Sequence, residues 1–386
     1  MPNERPVVLV HGILGFGPKE LGPLNYWGTA FKVPSPLRRF EASVGPLSSA
    51  YDRACELAAQ VRGTRVDYGA AHARRHGHAR YGPDYTGRGF VPDWSAARPV
   101  HLVGHSLGSP TIRCLQHLLA VDHWGWHSDE SWVASLTTLS GVSNGSTLTY
   151  FFGADERTGR LGGSSLAAGL MLIVEAYAYA TGGIQDAVYN FDLDHWGFER
   201  RPGESLAEFL LRLARSPFLS GRDNACYSLT LQGAHADNAV WKTYPGTYYF
   251  SHVTAQTEQG WLSGHHYPSP RMNPALLPHA AYIGRKQFER KPIPLRGFRD
   301  GDWWENDGAV STYSQKYPHI SGQHPVGIEF DARTPAGRFG RGRWHHSRER
   351  DVDHLDICVL PQVDQVGWQR RFYVGLFERL AALRLG

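Results

Sequence analysis

Hydrophobic and polar positions along the chain fall into two rhythms. Short, predominantly apolar runs occur at Val7–Val10, at residues 100–103, at Val133–Leu139 and at residues 247–251 and 355–360. Runs of this length suit strands buried on both faces, so they predict the strands of a covered, mainly parallel sheet. Other segments repeat apolar residues at helical spacing. Ile112, Leu115, Leu118 and Leu119 share one face behind Pro110, which suits a first helical turn. Ser205 followed by Glu208 makes a capping box for a helix through Leu213. Tyr373, Leu376, Phe377 and Leu380 line one face of a final helix over residues 372–383. Strands alternating with helices predict an α/β fold, its central sheet flanked by helices.

Neither an internal repeat nor a linker rich in Gly, Ser or Pro divides the 386 residues, so one domain over 1–386 is expected. The 40 basic and 36 acidic side chains leave a net charge of only +4, without a long basic run, which argues against nucleic acid as a partner. The basic stretch 333–350 is expected to be a solvated loop. Four cysteines, Cys55, Cys114, Cys226 and Cys358, lack metal-site or disulfide-framework spacing. The longest apolar segment, 166–180, is interrupted by Glu175 and is shorter than the roughly 20 residues a membrane-spanning helix needs, so a soluble protein is expected. No secretory signal precedes the first apolar run; the chain is then intracellular or a trimmed mature form.

Candidate chemistry begins at Gly104-His105-Ser106-Leu107-Gly108, between the run at 100–103 and the helical pattern after Pro110. The two glycines could merely ease a tight turn. The pattern also has the form of a nucleophile elbow, in which a strained strand-to-helix turn pushes a serine hydroxyl into a cleft. A nucleophilic serine needs a base, and the base an orienting acid, in the chain order Ser, Asp or Glu, His. Asp307 in ENDGAV and His354 in DVDHLDICVL, just ahead of the run at 355–360, fit that order. Asn306-Asp307-Gly308 could equally be a plain turn, and His354 a surface histidine among 20. Oxyanion donors are expected from the Leu107 N–H, directly after the serine, and from Ile13, in the His11-Gly12-Ile13 turn that ends the first strand.

A series of longer segments extends the pattern over most of the chain: VHGILGFG, NYWG at 25–28, VGPLSSAYDRACE at 44–56, VDYGAAHARRHGHARYG at 66–82, DLDHWGFERRPGES at 192–205, TYYFS at 247–251, ENDG at 305–308 and VDHLD at 352–356. In these the chain resembles the thermoalkalophilic zinc-containing bacterial lipases, relatives of the staphylococcal lipases. The resemblance implies an α/β-hydrolase fold, a Ser106, Asp307, His354 triad and an oxyanion hole at Ile13 and Leu107. It differs where the family usually has an aromatic residue at the position of Ile13 and an Ala-His-Ser-Gln-Gly elbow. Backbone donors survive both changes, so a shift in acyl-chain preference is the expected consequence.

The resemblance further implies a structural zinc held by Asp52, His72, His78 and Asp194, in an insertion built from segments around 17–85 and 190–235. Two imidazoles and two carboxylates suit a closed tetrahedral site. For calcium, Gly264 and Asp356 match family ligand positions, Asp356 standing where Glu is usual. The second carboxylate is missing from LPQVD, so calcium binding is expected to be weakened. The apolar segment 164–182 reads as a buried core helix from its residues and as a helical lid from the resemblance. The resulting expectation is a serine carboxylester hydrolase, a triacylglycerol lipase acting at a lipid–water interface, monomeric, and extracellular by resemblance. A shorter-chain esterase or polyester hydrolase, an inactive lipid-binding relative and a hydrolytic metal centre are the alternatives.

Overall fold

The computed structural model describes residues 3–18, 20, 24–161, 191–320, 322, 324–359 and 361–385. Its strands in chain order are β1 (Val7–Val10), β2 (Arg39–Ala42), β3 (Arg65–Asp67), β4 (Tyr81–Asp84), β5 (Val100–His105), β6 (Val133–Leu139), β7 (Tyr248–Ala255), β8 (Thr257–Gln259), β9 (His266–Pro268), β10 (Ile328–Glu329) and β11 (Trp344–Arg350). Seven form one sheet in the order β10-β11-β7-β6-β5-β1-β2, and every neighbouring pair in it is parallel. β3 with β4, and β8 with β9, form short antiparallel ribbons.

The two-residue period of a strand explains how this sheet is covered. Val7, Leu9, Val103, Leu139 and Phe250 point into one apolar cluster, with Tyr373, Leu376, Phe377 and Leu380 of the C-terminal helix Val366–Ala381. Val8, Val10, Leu102, Leu136 and Tyr249 point into the other. There they meet Ala54 and Leu57 of α1 (Ala50–Arg62) and Ile112, Leu115 and Leu119 of α3 (Gly108–Ala120). In chain order a short α2 (Ala70–His76) falls between these two helices. Each fully buried aliphatic side chain contributes about 1.5–3 kcal/mol, so the two layers clamp the strands and give the loops at their ends a rigid base.

Three expectations are corrected. Residues 354–359 form consecutive turns rather than a strand. Ile357 and Cys358 are buried because the C-terminal helix grips their backbone: the Tyr373 hydroxyl donates to the Ile357 carbonyl at 2.7 Å and Gln369 Nε2 to the Cys358 carbonyl at 2.7 Å. The strand next to His354 is instead β11, which precedes it and occupies part of the stretch read as a solvated loop. Finally, the C-terminal helix starts at Val366. The capping box is present, with Ser205 and Glu208 at the start of the helix Leu206–Ala214. The segment 164–182 lies outside the described residues.

Candidate active site and metal centre

Ser106 follows β5 with φ +53° and opens the turn into α3. This left-handed conformation costs a residue with a Cβ of order 1–3 kcal/mol, and close packing on every side enforces it. A Cβ on Gly108 would stand 2.1 Å from the Val10 carbonyl oxygen, and one on Gly104 2.4 Å from the Gly108 carbonyl oxygen. The motif glycines are therefore where backbone runs against backbone. Gly12 belongs to the same contact, since a Cβ there would lie 2.8 Å from the Ser106 Cβ. The turn after β1 thus abuts the serine.

That turn carries Ile13. Its N–H, like that of Leu107, has no acceptor among the described residues. Leu107 precedes the first turn of α3, where a helix leaves N–H groups unpaired. The direction of the Ile13 N–H is set from the other side of its peptide. The Gly12 carbonyl accepts from His11 Nδ1 at 2.9 Å and from the Gly15 N–H at 3.2 Å. Because the peptide is planar and trans, holding that carbonyl holds the Ile13 N–H in the opposite direction. His11 Nε2 accepts the Val44 N–H at 3.1 Å; burial and the nearby Arg53 guanidinium push its pKa down to about 3, so the ring is neutral. Arg53, itself buried, donates to the His11 carbonyl, to the Gly45 carbonyl at 2.8 Å and to Thr111 Oγ1 at 3.0 Å, pinning the turn to α3.

The acid and base come from loops beyond β7 and β11. The Gln256 N–H donates to the Asn306 carbonyl at 3.1 Å, tying the acid loop to the end of β7. Asp307 is fully buried. Its Oδ1 accepts the Ala309 and Val310 N–H groups at 3.0 and 2.8 Å; its Oδ2 accepts from Thr254 Oγ1 at 2.8 Å, Gln315 Nε2 at 3.1 Å and His354 Nδ1 at 2.9 Å. A second tie runs from the His354 N–H to the Asp307 carbonyl at 2.9 Å. His354 packs its ring against His105, the residue before Ser106, with centroids 4.7 Å apart. The sequence candidates Ser106, Asp307, His354, Ile13 and Leu107 therefore meet at the carboxyl end of the sheet, where α/β folds place their sites.

On the other side of α1 a second constellation forms. His72 Nε2 lies 3.1 Å from Asp52 Oδ1 and 2.9 Å from Asp223 Oδ2, and His78 Nε2 lies 3.4 Å from the same Asp223 oxygen. One ligand atom from each of Asp52, His72, His78 and Asp223 falls within 4.8 Å of all the others. The fourth residue is not Asp194. That side chain is exposed on the turn Asp194–Trp196, while its neighbour His195 points inward and places Nε2 3.2 Å from Asp52 Oδ2. Successive side chains of a tight turn diverge, so only one of the pair can face the cluster. Asp223 is the residue sequence reasoning missed; its position before the buried helix cap Asn224 was the available signal.

Donor chemistry suits a cation. His78 Nδ1 lies 2.8 Å from the Ala79 carbonyl, which can only accept, so Nδ1 carries the proton. His78 Nε2 is buried without a hydrogen bond, 3.4 Å from an oxygen of the Asp223 carboxylate, and in the neutral ring it turns a lone pair toward that carboxylate. A metal ion between them relieves that opposition. For calcium the fit is poor. Asp356 is buried and its two oxygens already accept the Gln362 and Asp353 N–H groups at 2.9 and 3.1 Å, while Gly264 lies in the β8–β9 turn. Among the described residues, no second group of three or more His, Cys, Asp or Glu side chains converges as the Asp52 cluster does.

A parallel sheet that carries a strained serine between strand and helix, with acid and base on later loops, is the arrangement of an α/β-hydrolase. The chain belongs to the family described as Lipase-like, C-terminal domain, which matches residues 3–382. It is 32% identical to lipase 2 of Staphylococcus aureus over 98% of its own length and 54% of that protein's, so it spans about half the length of the curated relatives it matches. Among solved structures it is similar to EstA from Clostridium botulinum, with TM-score 0.83 and 31% identity over 99% of this chain and 88% of that one. Lipase 1 from Pelosinus fermentans follows, with TM-score 0.79 and 30% identity over 99% and 100%.

Proposed function

We propose that the chain is a serine carboxylester hydrolase, a triacylglycerol lipase acting through an acyl-enzyme. The observation that carries this reading is the buried Asp307–His354 pair at 2.9 Å, set against the elbow of Ser106 and two N–H groups that have no acceptor among the described residues. In it, Ser106 Oγ attacks the ester carbonyl and passes its proton to His354 Nε2, while Asp307 holds the Nδ1 proton and steadies the imidazolium. The Ile13 and Leu107 N–H groups receive the oxyanion. As the tetrahedral adduct collapses, His354 returns the proton to the departing alcohol and leaves the acyl group on Ser106. Water, deprotonated by the same imidazole, then releases the acid.

Asp52, His72, His78 and Asp223 would hold zinc, which when bound ties α1 and α2 to the segment around Asp223 and supplies no step of ester cleavage. All four positions are taken by protein side chains, which suits a structural metal and leaves no room for a hydrolytic metal centre. Action on lipid is supported by the lipase relatives, and action at a lipid–water interface as an extracellular monomer completes the reading; among the described residues no helix is long and apolar enough to cross a membrane.

Hydrolysis of p-nitrophenyl esters of increasing chain length, soluble and emulsified, tests it. Turnover is expected across the series and on emulsified long-chain triacylglycerol. Activity confined to short soluble esters favours an esterase, and no turnover of any ester removes the enzymatic reading.

A further inference from the structure

Tyr26 and His105 take no part in the steps above, yet both are buried in the middle of the site. His105 Nε2 lies 3.1 Å from the His354 carbonyl oxygen. A carbonyl only accepts, so Nε2 carries the proton and Nδ1 presents a lone pair. Tyr26 Oη lies 2.6 Å from that Nδ1 and is therefore its donor. The same phenolic oxygen accepts the Gly12 N–H at 2.8 Å. Burial, with the nearby His354, holds the His105 pKa well below its ordinary value, which keeps the ring in this one neutral tautomer. The result is a chain with a fixed polarity at every link: Gly12 N–H to Tyr26 Oη, Tyr26 O–H to His105 Nδ1, His105 Nε2–H to the His354 carbonyl.

Its ends are the points that the chemistry needs in register. Gly12 precedes Ile13, whose N–H faces the oxyanion; His105 precedes the nucleophile; His354 is the base. Phe16 and Trp27 pack edge-on against the Tyr26 ring, with centroids 5.7 and 5.3 Å away, and brace it on two sides. We propose that Tyr26 and His105 are positioning residues that lock the oxyanion turn and the backbone of His354 to the elbow, a role that rests on the Ser106–His354–Asp307 reading. A misplacement of about 1 Å in such a constellation can cost on the order of 100-fold in rate, so cutting this chain should be felt in turnover.

Tyr26→Phe removes the shared oxygen and keeps the ring. His105→Gln keeps a donor near the Nε2 position for the His354 carbonyl and loses the acceptor for Tyr26. His105→Asn does the opposite, keeping an acceptor near Nδ1 and losing the link to His354. kcat and KM on a soluble p-nitrophenyl ester, the rate of inactivation by an organophosphonate, and Tm are to be measured for each, beside Ser106→Ala. All three should lower kcat by about 10- to 100-fold, with inactivation slowed in proportion and KM nearly unchanged. Because Tyr26→Phe and His105→Gln cut the same link, the double variant should be within about twofold of the worse single one. A merely structural role would lower Tm and leave kcat per folded enzyme as it was. Single variants whose kcat stays within about twofold of the parent, or a double variant whose losses multiply, would overturn the proposal while Ser106→Ala remains inactive. If Tyr26→Phe fails to fold, the two His105 variants carry the same comparison. Retained turnover in Ser106→Ala would instead remove the triad reading, and the positioning role with it.

Discussion

Ser106→Ala is expected to lower kcat by about 10⁶-fold and Asp307→Asn by about 10⁴-fold, with the folded structure retained in both. The first loss is that of the nucleophile itself. For Asp307, what matters is where the asparagine amide must point. Ala309 and Val310 present two N–H groups to Oδ1, so the amide oxygen settles there and the NH₂ takes the place of Oδ2. That group then faces His354 Nδ1, Gln315 Nε2 and Thr254 Oγ1, all of which now donate to a carboxylate. Two donors cannot share a hydrogen bond, so His354 must turn its Nδ1 lone pair inward and carry its proton on Nε2. In that tautomer it cannot accept the Ser106 proton. Steady-state kinetics on a soluble ester, with circular dichroism for the fold, checks both variants; an Asp307→Asn enzyme within tenfold of the parent would remove Asp307 as the orienting acid.

The proposed zinc is expected to be lost in Asp223→Ala and retained in Asp194→Ala. His78→Ala or a strong chelator should act as Asp223→Ala does. A metal that binds only the folded chain adds its binding free energy to folding; at a free concentration 1,000 times Kd this amounts to about 4 kcal/mol. The apo protein should therefore melt well below the metal-loaded one. What remains folded should still react at Ser106, because the cluster lies among α1, α2 and the Asp223 segment and contributes none of the groups at the sheet's carboxyl end. Elemental analysis and calorimetry check this together. Loss of zinc in Asp194→Ala with retention in Asp223→Ala would reverse the assignment, and chemistry lost at a temperature where the apo protein is folded would contradict the structural role.

The buried centre of the fold was legible because β1, β5 and β6 sit inside a doubly covered sheet, are buried along their whole length and carry short runs of Val and Leu. The polar strands were not. β2, Arg-Phe-Glu-Ala, is an edge strand with a half-buried outer end, and β11, Trp-His-His-Ser-Arg-Glu-Arg, runs out of the core along its length, so neither has an apolar run. The opposite error occurred at Ile357 and Cys358, where burial in turns beneath a helix imitates a strand. For the site, chain order and turn chemistry led to Ser106, Asp307 and His354, but the pairing of remote residues could not be read. Asp194 and Asp223 differ in which way a short turn points them, and Tyr26 acquires its role only when the chain brings it beside His105, 79 positions away.

Reaction with an organophosphonate ester, followed by intact mass and peptide mapping, decides whether Ser106 is the nucleophile. An activated serine attacks phosphorus where ordinary hydroxyls do not, so one adduct per chain is expected, on the peptide containing Ser106, with ester hydrolysis lost in step. An adduct on any other residue, or continued hydrolysis by protein fully modified at Ser106, would contradict it.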